Sequence, residues 1–466
     1  MQYINEALIW ETLEQAQKTA PETIEAILQK TQTLQRLSLA ETAALLAADD
    51  PEILRKIFAA AARVKNEIYG KRVVLFAPLY ISNICQNACR YCAFKADNRL
   101  IERKALNPAE IKEQVEFMLQ RGHKRILLVA GEAKPAFAGS LVDYYTEAIE
   151  AIYAAQVGPH KIKRVNINCA PLSMADFRKL KKAGIGTFQI FQETYHEGTY
   201  RYVHVRGPKT DPDKRIAAID NAFAAGIDDV GMGVLYGLSD YRFDTLALLQ
   251  HIEQLEKNWK IGPHTISVPR VEPAIGAEYS LTLPRRVSDA DFRKIVAVLR
   301  LSVPYTGMIL STRETPQMRD ELIDLGISQI SAESSVAPGG YASTTLGNHQ
   351  KINSQFEVAD HRSLDEIIAS LVDKGYIPSF CAACYRMERT GEKFMCLAKP
   401  GTIKGKCSMN ALITLREYLD DFAADSTKQE GYKFIEQLKS ALSDQDRQAY
   451  ENFCLEIAGG ARDRYV

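Results

Sequence analysis

The sequence predicts a parallel (β/α)8 barrel of the TIM type, with a helical N-terminal extension and a mostly helical C-terminal domain. After residue 73, short apolar runs rich in β-branched residues alternate with amphipathic stretches of helical period. Eight such runs follow one another at even spacing, which favours a closed barrel over an open, doubly wound sheet. The predicted boundaries are residues 1–70 for the extension, 71–365 for the barrel and 366–466 for the C-terminal domain.

Local signals place the individual elements. In the extension, Ser38 and Glu41 match a capping box, and a second helix is expected to start at Pro51 and stop at Gly70. A polar loop is predicted over residues 335–361. No GxGxxG follows a predicted strand and no P-loop is present, so a nucleotide-phosphate fold has little support. The eight predicted strands cover residues 73–82, 125–131, 164–170, 187–194, 229–237, 265–273, 307–315 and 327–334.

Composition excludes some classes of function. The 466 residues contain 58 Lys and Arg against 58 Asp and Glu, so the formal net charge is zero. Bulk charge therefore gives no reason to expect a nucleic-acid or membrane partner. No apolar run approaches the roughly 18 residues of a membrane helix. The acidic, amphipathic N-terminus is neither a signal peptide nor a transit peptide, and we expect a cytoplasmic protein.

The nine cysteines are too few for a disulfide scaffold, and their number is odd. Six of them form two triads, which in a reducing compartment indicates metal ligands or catalytic groups. The other three, Cys169, Cys396 and Cys454, are each expected to be buried apolar residues.

The first triad is Cys85, Cys89 and Cys92, at a C-x3-C-x2-C spacing directly after the first predicted strand. A structural zinc site requires four protein ligands, and a 4Fe–4S cluster is usually held by four thiolates. Three thiolates leave one iron open to hold a substrate or cofactor. The loop would lie at the C-terminal face, where barrel enzymes keep their active sites. A structural zinc loop is the alternative.

This spacing, with aromatic Tyr91 before the last cysteine, resembles the radical S-adenosylmethionine (SAM) superfamily. The resemblance implies a 4Fe–4S cluster whose open iron chelates SAM, and cleavage of SAM to a 5′-deoxyadenosyl radical. It also implies that Gly131 and Glu132, in "AGE" at the end of the second strand, bind the SAM ammonium group. Gln192 and Glu193 end the fourth strand and are further candidates for SAM contact.

The second triad is Cys381, Cys384 and Cys407, at a C-x2-C-x22-C spacing and again with no obvious fourth thiol. Structural zinc, completed by Cys396 or Cys454, is the alternative to an iron–sulfur cluster.

Longer stretches resemble the HydG family, tyrosine lyases that mature FeFe-hydrogenase, and the resemblance runs from about residue 70 onward. The second triad separates that family from the related ThiH-type 2-iminoacetate synthases, which lack it. The stretches that carry the resemblance include "LFAPLYISNICQNACRYC", "FQETYH", "GPHTISVPRVEPA", "LSTRE" and "CAACYRMERTGEKFM".

The resemblance implies that tyrosine is cleaved at Cα–Cβ to p-cresol and dehydroglycine. Dehydroglycine would become CO and cyanide at an auxiliary 4Fe–4S cluster on the second triad, for assembly of the hydrogenase H-cluster. That cluster would carry an extra iron bridged by free cysteine and ligated by His264, which precedes strand six at the N-terminal mouth. Implied partners are a reductant such as ferredoxin or flavodoxin and hydrogenase-maturation proteins.

Several residues are candidates for binding the amino-acid substrate. Arg313 lies at the end of predicted strand seven, at the active-site face, where a guanidinium can bind a carboxylate through two hydrogen bonds. Ser331 would add a hydroxyl from strand eight, Arg270 is a second cation, and Tyr195 lies near the end of strand four. Each arginine has a structural ion pair as its alternative role.

A passage between the two mouths would need small or polar residues inside the barrel. Gly231 and Gly233 on strand five, and Asn166 and Asn168 on one face of strand three, are candidates. The asparagines have hydrogen-bonded core residues as their alternative role.

Departures from the family pattern leave other functions open. Glu333 is expected near the substrate pocket, and Arg206 stands where the family has serine; the two charges would pair or alter substrate choice. A paralogue acting on another amino acid, one stopping at 2-iminoacetate, and a non-enzymatic iron–sulfur carrier remain as alternatives.

Overall fold

The computed structural model describes residues 1–342 and 353–466 and has the predicted closed barrel. Eight parallel strands pair in chain order, and β8 closes the barrel on β1 through the register Gln329↔Val74. Residues 343–352 of the predicted polar loop lie outside the described part. The strands are β1 Arg72–Ser82, β2 Arg125–Ala130, β3 Arg164–Asn168, β4 Phe188–Glu193, β5 Val230–Val234, β6 Thr265–Ser267, β7 Gly307–Leu310 and β8 Gln329–Ser331.

The predicted helical extension is present. Ser38 and Glu41 form the predicted capping box, and Gly70 ends the fourth helix at a φ of 62°. This helix and the third one pack on helices of the barrel's outer layer, so the extension covers one side of the barrel. The helices are α1 Glu6–Ala16, α2 Pro21–Lys30, α3 Leu39–Ala47 and α4 Pro51–Tyr69.

Helices between the strands form the outer layer, and their apolar faces pack against the outside of the barrel. Among the described residues, none of the helices has the length and apolar content needed to cross a membrane. The outer helices are α5 Pro108–Gln120, α6 Leu141–Ala154, α7 Met174–Lys182, α8 Glu197–Val203, α9 Pro212–Ile216, α10 Ala218–Ala224, α11 Tyr241–Trp259, α12 Asp289–Ser302 and α13 Pro316–Leu325.

The C-terminal segment is mostly helical and joins the barrel through one further strand. Strand β9 runs parallel to the start of β1, with Ile377 opposite Arg72. Because this pairing uses the N-terminal end of β1, the segment that follows β9 lies at the N-terminal mouth of the barrel. Its elements are α14 Leu364–Asp373, β9 Ile377–Ser379, α15 Ala383–Arg386, α16 Gly391–Ala398, α17 Ile403–Asp421, α18 Asp425–Ser440 and α19 Asp444–Ala458.

A buried ion pair fastens this segment to the barrel. The Lys124 ammonium, just before β2, contacts the Glu417 carboxylate of α17, and the two side chains are only 5% and 0% exposed. Glu417 also accepts a hydrogen bond from the backbone N–H of Arg464 at 3.1 Å. Lys124→Met would leave a buried carboxylate without its counter-charge, which costs about 3–5 kcal/mol. We expect a loss of that size in the free energy of unfolding, measured by urea denaturation.

Lys112→Met is the matched control for that prediction. Lys112 lies 3.7 Å from Glu116 in an exposed pair on α5, and such pairs contribute about 0–1 kcal/mol. Equal losses in the two variants would contradict the structural role of the buried pair.

Candidate active site

A cavity of about 190 Å³ opens at the C-terminal ends of the barrel strands and extends inward between them. Its wall brings together residues from all eight strands or the loops after them. The predicted site residues on the wall are Cys85, Cys89, Tyr91, Cys92, Gly131, Glu132, Glu193, Arg313 and Ser331.

The three thiols of the first triad converge at the outer end of this cavity. Burial and the neighbouring Cys85 thiol raise the pKa of Cys92 to about 11, so the free thiol stays protonated. Two side-chain amides point at the sulfurs: Asn87 Nδ2 lies 3.7 Å from Cys85 Sγ, and Gln355 Nε2 lies 3.7 Å from Cys92 Sγ. Hydrogen bonds to sulfur are a common feature of iron–sulfur sites, and this donor set fits a cluster.

The "AGE" segment contacts the cysteine loop directly. The backbone N–H of Gly131 donates to the Ser82 carbonyl at 2.8 Å, and a Cβ on Gly131 would collide with the carbonyl oxygen of Ile84. Glycine is therefore required there for close approach of the two backbones.

Glu132 forms a buried ion pair beside the thiols. Its Oε1 accepts from Arg215 Nη1 at 2.9 Å, and its Oε2 accepts from Asn87 Nδ2 at 2.7 Å. Burial works against the charged form, but Arg215 and Lys209 outweigh it and hold the pKa of Glu132 below its usual value. The cavity therefore presents a carboxylate next to the triad.

Glu193 is a second carboxylate at this end of the cavity. It pairs with Lys209 and has a φ of 72°, a left-handed conformation that is strained for a non-glycine residue. Arg215 also lies near it, with Nη2 at 3.7 Å from Glu193 Oε1. The sequence analysis missed Lys209 and Arg215, which come from the segment after α8 and carry no motif of their own.

Tyr91 is buried in this wall, and its hydroxyl lies 2.9 Å from His204 Nε2. The hydrogen bond fixes the ring within the cysteine loop.

Two opposite charges face the cavity further in. Arg313 stacks over Phe356 with its guanidinium carbon 3.3 Å from the ring centroid, and no carboxylate within the described residues pairs with it. Glu272, from the loop after β6, also lines the cavity. Burial and the nearby Glu314 raise the pKa of Glu272 to about 7. The sequence analysis missed Glu272, because only the three-dimensional packing reveals its position and its shifted pKa.

Ser331 also lines the cavity. Its Oγ accepts a hydrogen bond from the Thr312 backbone N–H at 3.2 Å, and its hydroxyl hydrogen stays available to the cavity.

Three predicted candidates are not brought to the cavity. Gln192 and Arg270 alternate with inward residues, so they point outward: Gln192 donates to the Pro212 carbonyl at 3.1 Å, and Arg270 pairs with Glu314 and with Asp289 at 2.8 Å. Tyr195 packs on α11, where its hydroxyl lies 2.9 Å from His251 Nδ1.

The expected placement of Glu333 near the substrate pocket is wrong. Its carboxylate faces outward and pairs with Arg121, and it lies 3.5 Å from His123 Nε2. It therefore pairs with these residues at the end of α5 and not with Arg206, which is exposed.

The second triad lies at the opposite mouth of the barrel. Cys381 follows β9, Cys384 is in α15, and Cys407 is in the first turns of α17. Burial and the neighbouring Cys407 and Cys381 thiols raise the pKa of Cys384 to about 12. The backbone N–H of Ala383 lies 3.3 Å from Cys381 Sγ, a donor aimed at the sulfur.

His264 faces the same mouth. Its ring stacks on Phe394 of α16 at 4.0 Å between centroids and lies 6.2 Å from the ring of Tyr385, next to Cys384. Its Nδ1 lies 3.2 Å from Asp229 Oδ2, so Asp229 is on the Nδ1 side of the ring.

Polar side chains of β4, and of Thr187 just before it, lie between the two mouths of the barrel. Thr187 lies 3.0 Å from the Tyr385 hydroxyl at the second mouth, and Gln189 donates to Ser267 Oγ at 2.7 Å in the middle. Gly231 does not open free space there, because a Cβ on it would lie 2.9 Å from Gln189 Cγ. Of the two asparagines, Asn168 lines the cavity, and Asn166 accepts from the Thr187 backbone N–H at 3.0 Å.

The remaining cysteines differ in burial. Cys169 is buried, as expected, whereas Cys396 is exposed and Cys454 is half-buried. Within residues 1–342 and 353–466, no three His, Cys, Asp or Glu side chains are arranged to hold a single metal ion. A four-iron cluster distributes its thiolates over different irons, so its ligands stand further apart.

Comparison with known proteins identifies the family to which the chain belongs. The radical SAM superfamily matches residues 79–249, and the biotin and thiamin synthesis associated domain matches residues 267–377. A crystal structure of HydG, described as a maturase of the FeFe-hydrogenase, has a TM-score of 0.95 and 44% identity, and 100% of both chains is covered. The chain belongs to the HydG family.

Other relatives lie at greater distance. HydG from Carboxydothermus hydrogenoformans has a TM-score of 0.82 at 40% identity, covering 96% of this chain and 98% of that one. The 2-iminoacetate synthase of Escherichia coli (strain K12) is 32% identical over 336 residues, which are 72% of this chain and 84% of the relative. This HydG-family chain is therefore a radical SAM enzyme, and the family implies a 4Fe–4S cluster and SAM.

Proposed function

We propose that the chain cleaves the Cα–Cβ bond of tyrosine to give p-cresol and dehydroglycine, and converts dehydroglycine to CO and cyanide for the H-cluster of FeFe-hydrogenase. The observation that carries this proposal is the pair of thiol triads at opposite mouths of one barrel. The family relationship to HydG supports it.

The first triad and the "AGE" segment would hold the cluster and SAM. The cluster and SAM, when bound, supply a 5′-deoxyadenosyl radical that abstracts hydrogen from the substrate. Glu132 offers a carboxylate for the SAM ammonium, and Arg215 and Lys209 keep it ionised.

Arg313 and Glu272 fit the two charges of an amino acid. A guanidinium binds an α-carboxylate through two parallel hydrogen bonds, and a carboxylate binds an α-ammonium. Neither side chain has a hydrogen-bonded side-chain partner within the described residues, so both are available to a ligand. The apolar wall around them, with Phe356 against Arg313, excludes water and strengthens both contacts.

The second triad and His264 would hold the auxiliary cluster and its extra iron, with free cysteine as a further ligand. The conversion at that mouth balances: dehydroglycine, C2H3NO2 in its neutral form, yields CO, HCN and water. Hydrogenase-maturation proteins would receive the product. All nine cysteines are unpaired, which supports a location in the cytoplasm.

The test of this proposal is anaerobic turnover of the reconstituted protein with dithionite, SAM and tyrosine. We expect 5′-deoxyadenosine and p-cresol in equal amounts by liquid chromatography. Deoxyadenosine without p-cresol would exclude tyrosine as the substrate. Neither product, with both clusters intact, would favour an iron–sulfur carrier.

We expect Glu272→Gln to raise KM for tyrosine about tenfold or more, since a charge-assisted hydrogen bond is worth roughly 1.5–3 kcal/mol. The pKa of Glu272 is raised to about 7, so the carboxylate that attracts the ammonium is present above that pH and is lost below it. KM for the wild-type protein should therefore fall as pH rises through about 7, and the variant should lack this step.

Glu278→Gln provides the control for that prediction, because Glu278 is an exposed carboxylate further along the same loop. If the two variants shift KM equally, Glu272 does not bind the substrate.

A further inference from the structure

An exposed apolar and basic patch covers the cysteine loop on the C-terminal face of the barrel. We define the arginine–tyrosine patch by its six residues: Arg90, Tyr202, Val205, Arg206, Tyr279 and Leu281. Tyr202, Val205 and Leu281 are large apolar side chains that are 51%, 55% and 60% exposed. The rings of Tyr202 and Tyr279 meet edge to face at 5.6 Å.

The patch is attached directly to the ligand loop of the first triad. The backbone N–H of Ala88 donates to the Arg206 carbonyl at 2.9 Å, and that of Val205 donates to the Ala88 carbonyl at 3.2 Å. Cys89 and His204 form an antiparallel bridge. The exposed residues Tyr202, Val205 and Arg206 therefore lie on a segment whose backbone pairs directly with the backbone of the cysteine loop.

The charge of the patch is not neutralised. The Arg90 guanidinium stacks on Tyr202 with its central carbon 4.3 Å from the ring centroid, and Arg206 is exposed. Within the described part of the chain, neither arginine has a carboxylate partner, although the whole protein has no net charge.

Further arginines lie in the loops around the patch. Arg99 and Arg285 lie in the adjoining loops, are exposed, and form no ion pair among the described residues, whereas Arg286 acts on Glu272. Carboxylates of the same segments are Asp97, which lies 3.8 Å from Lys95, Glu278, Glu197, which pairs with Arg201, and Asp211 and Asp213 after Arg206. The two arginines of the patch itself, Arg90 and Arg206, therefore remain without a carboxylate partner among the described residues.

We propose that the arginine–tyrosine patch is the docking surface for a small acidic electron-transfer protein, a flavin or iron–sulfur carrier that reduces the first cluster. One electron leaves the reduced carrier and enters the cluster, so the carrier is oxidised by one electron and the cluster is reduced by one. This inference rests on the radical SAM activity proposed above.

The physical features of the patch match such a partner. Electron-transfer complexes are small and transient, so a compact apolar centre with a charged rim suffices. Unpaired arginines around that centre attract an acidic protein and raise its association rate. The short path through residues 88–90 places the docked carrier beside the cluster ligands.

The test uses the reconstituted holoenzyme, with a flavodoxin and a ferredoxin as probes. Calorimetric titration measures the Kd of each carrier for the wild type, for Arg206→Glu, and for Arg206→Glu combined with Arg285→Glu. We expect Kd to rise about tenfold or more in the double variant at low salt. The difference should shrink toward zero near 1 M salt, where the Debye length is about 3 Å.

Arg178→Glu is the matched control, since Arg178 is an exposed arginine of α7 on the outside of the barrel. Deoxyadenosine formation is measured with the carrier and, separately, with dithionite. We expect the patch variants to lose carrier-driven turnover and to keep dithionite-driven turnover. Equal Kd values for the patch variants and Arg178→Glu with both carriers would overturn the docking proposal. Failure of the wild type with dithionite would instead overturn the radical SAM activity.

Discussion

Cys384→Ala is expected to abolish CO and cyanide formation while p-cresol formation stays within about twofold of the wild type. The reason is spatial: Cys384 lies at the N-terminal mouth, and the cavity that would hold SAM and tyrosine opens at the C-terminal mouth. The loss of one thiolate removes a ligand of the auxiliary cluster and leaves the other triad intact. Chromatography of p-cresol, with trapping of CO by haemoglobin and derivatisation of cyanide, measures all three products.

Cys396→Ala is the control for that variant. Cys396 is on α16 of the same C-terminal segment, but it is exposed. The Cys396→Ala variant should still form p-cresol, CO and cyanide. Parallel loss of p-cresol and CO in Cys384→Ala, with the protein still folded, would show that the two mouths do not act as separate sites.

Cys89→Ala is expected to reduce deoxyadenosine, p-cresol, CO and cyanide together, to below about one-thousandth of the wild-type rates. Cys89 is buried in the cavity wall, and its loop joins the "AGE" segment, so the substitution removes one of the three thiolates of the first triad. The protein should lose only the iron of the first cluster. Iron analysis and electron paramagnetic resonance spectroscopy would measure this loss.

Cys169→Ala is the appropriate comparison, because Cys169 is a buried cysteine of the same cavity wall that lies outside the triad. We expect it to keep its full iron content. If Cys89→Ala retains deoxyadenosine formation, the assignment of the first triad is wrong.

The barrel was predictable from sequence because its signals are local. Runs of β-branched residues alternate with helical periods, and capping residues such as Ser38 and Glu41 mark helix starts. Seven of the eight strands are shorter than predicted at their C-terminal ends; in β6 and β7, residues that leave the ladder form part of the cavity wall.

The candidate site was predictable only where a motif marks it. The cysteine spacing and "AGE" point to residues that do line the cavity. To predict that Gln192, Tyr195 and Arg270 lie outside it, one would have to know exactly which residues of each strand point inward. Glu272 and Lys209 carry no local signal, since their roles come from what faces them across the barrel.

The most direct test of the central claim, that one chain cleaves tyrosine at one mouth and processes its fragment at the other, is turnover with isotopically labelled tyrosine. Carbon-13 at the carboxyl group and at Cα, with nitrogen-15 on the amine, follows the dehydroglycine atoms. We predict labelled CO and doubly labelled cyanide in proportion to p-cresol, because only Cα is bonded to nitrogen. Labelled glyoxylate and ammonium alongside p-cresol, with no labelled CO or cyanide, would contradict the account and indicate a lyase that stops at 2-iminoacetate.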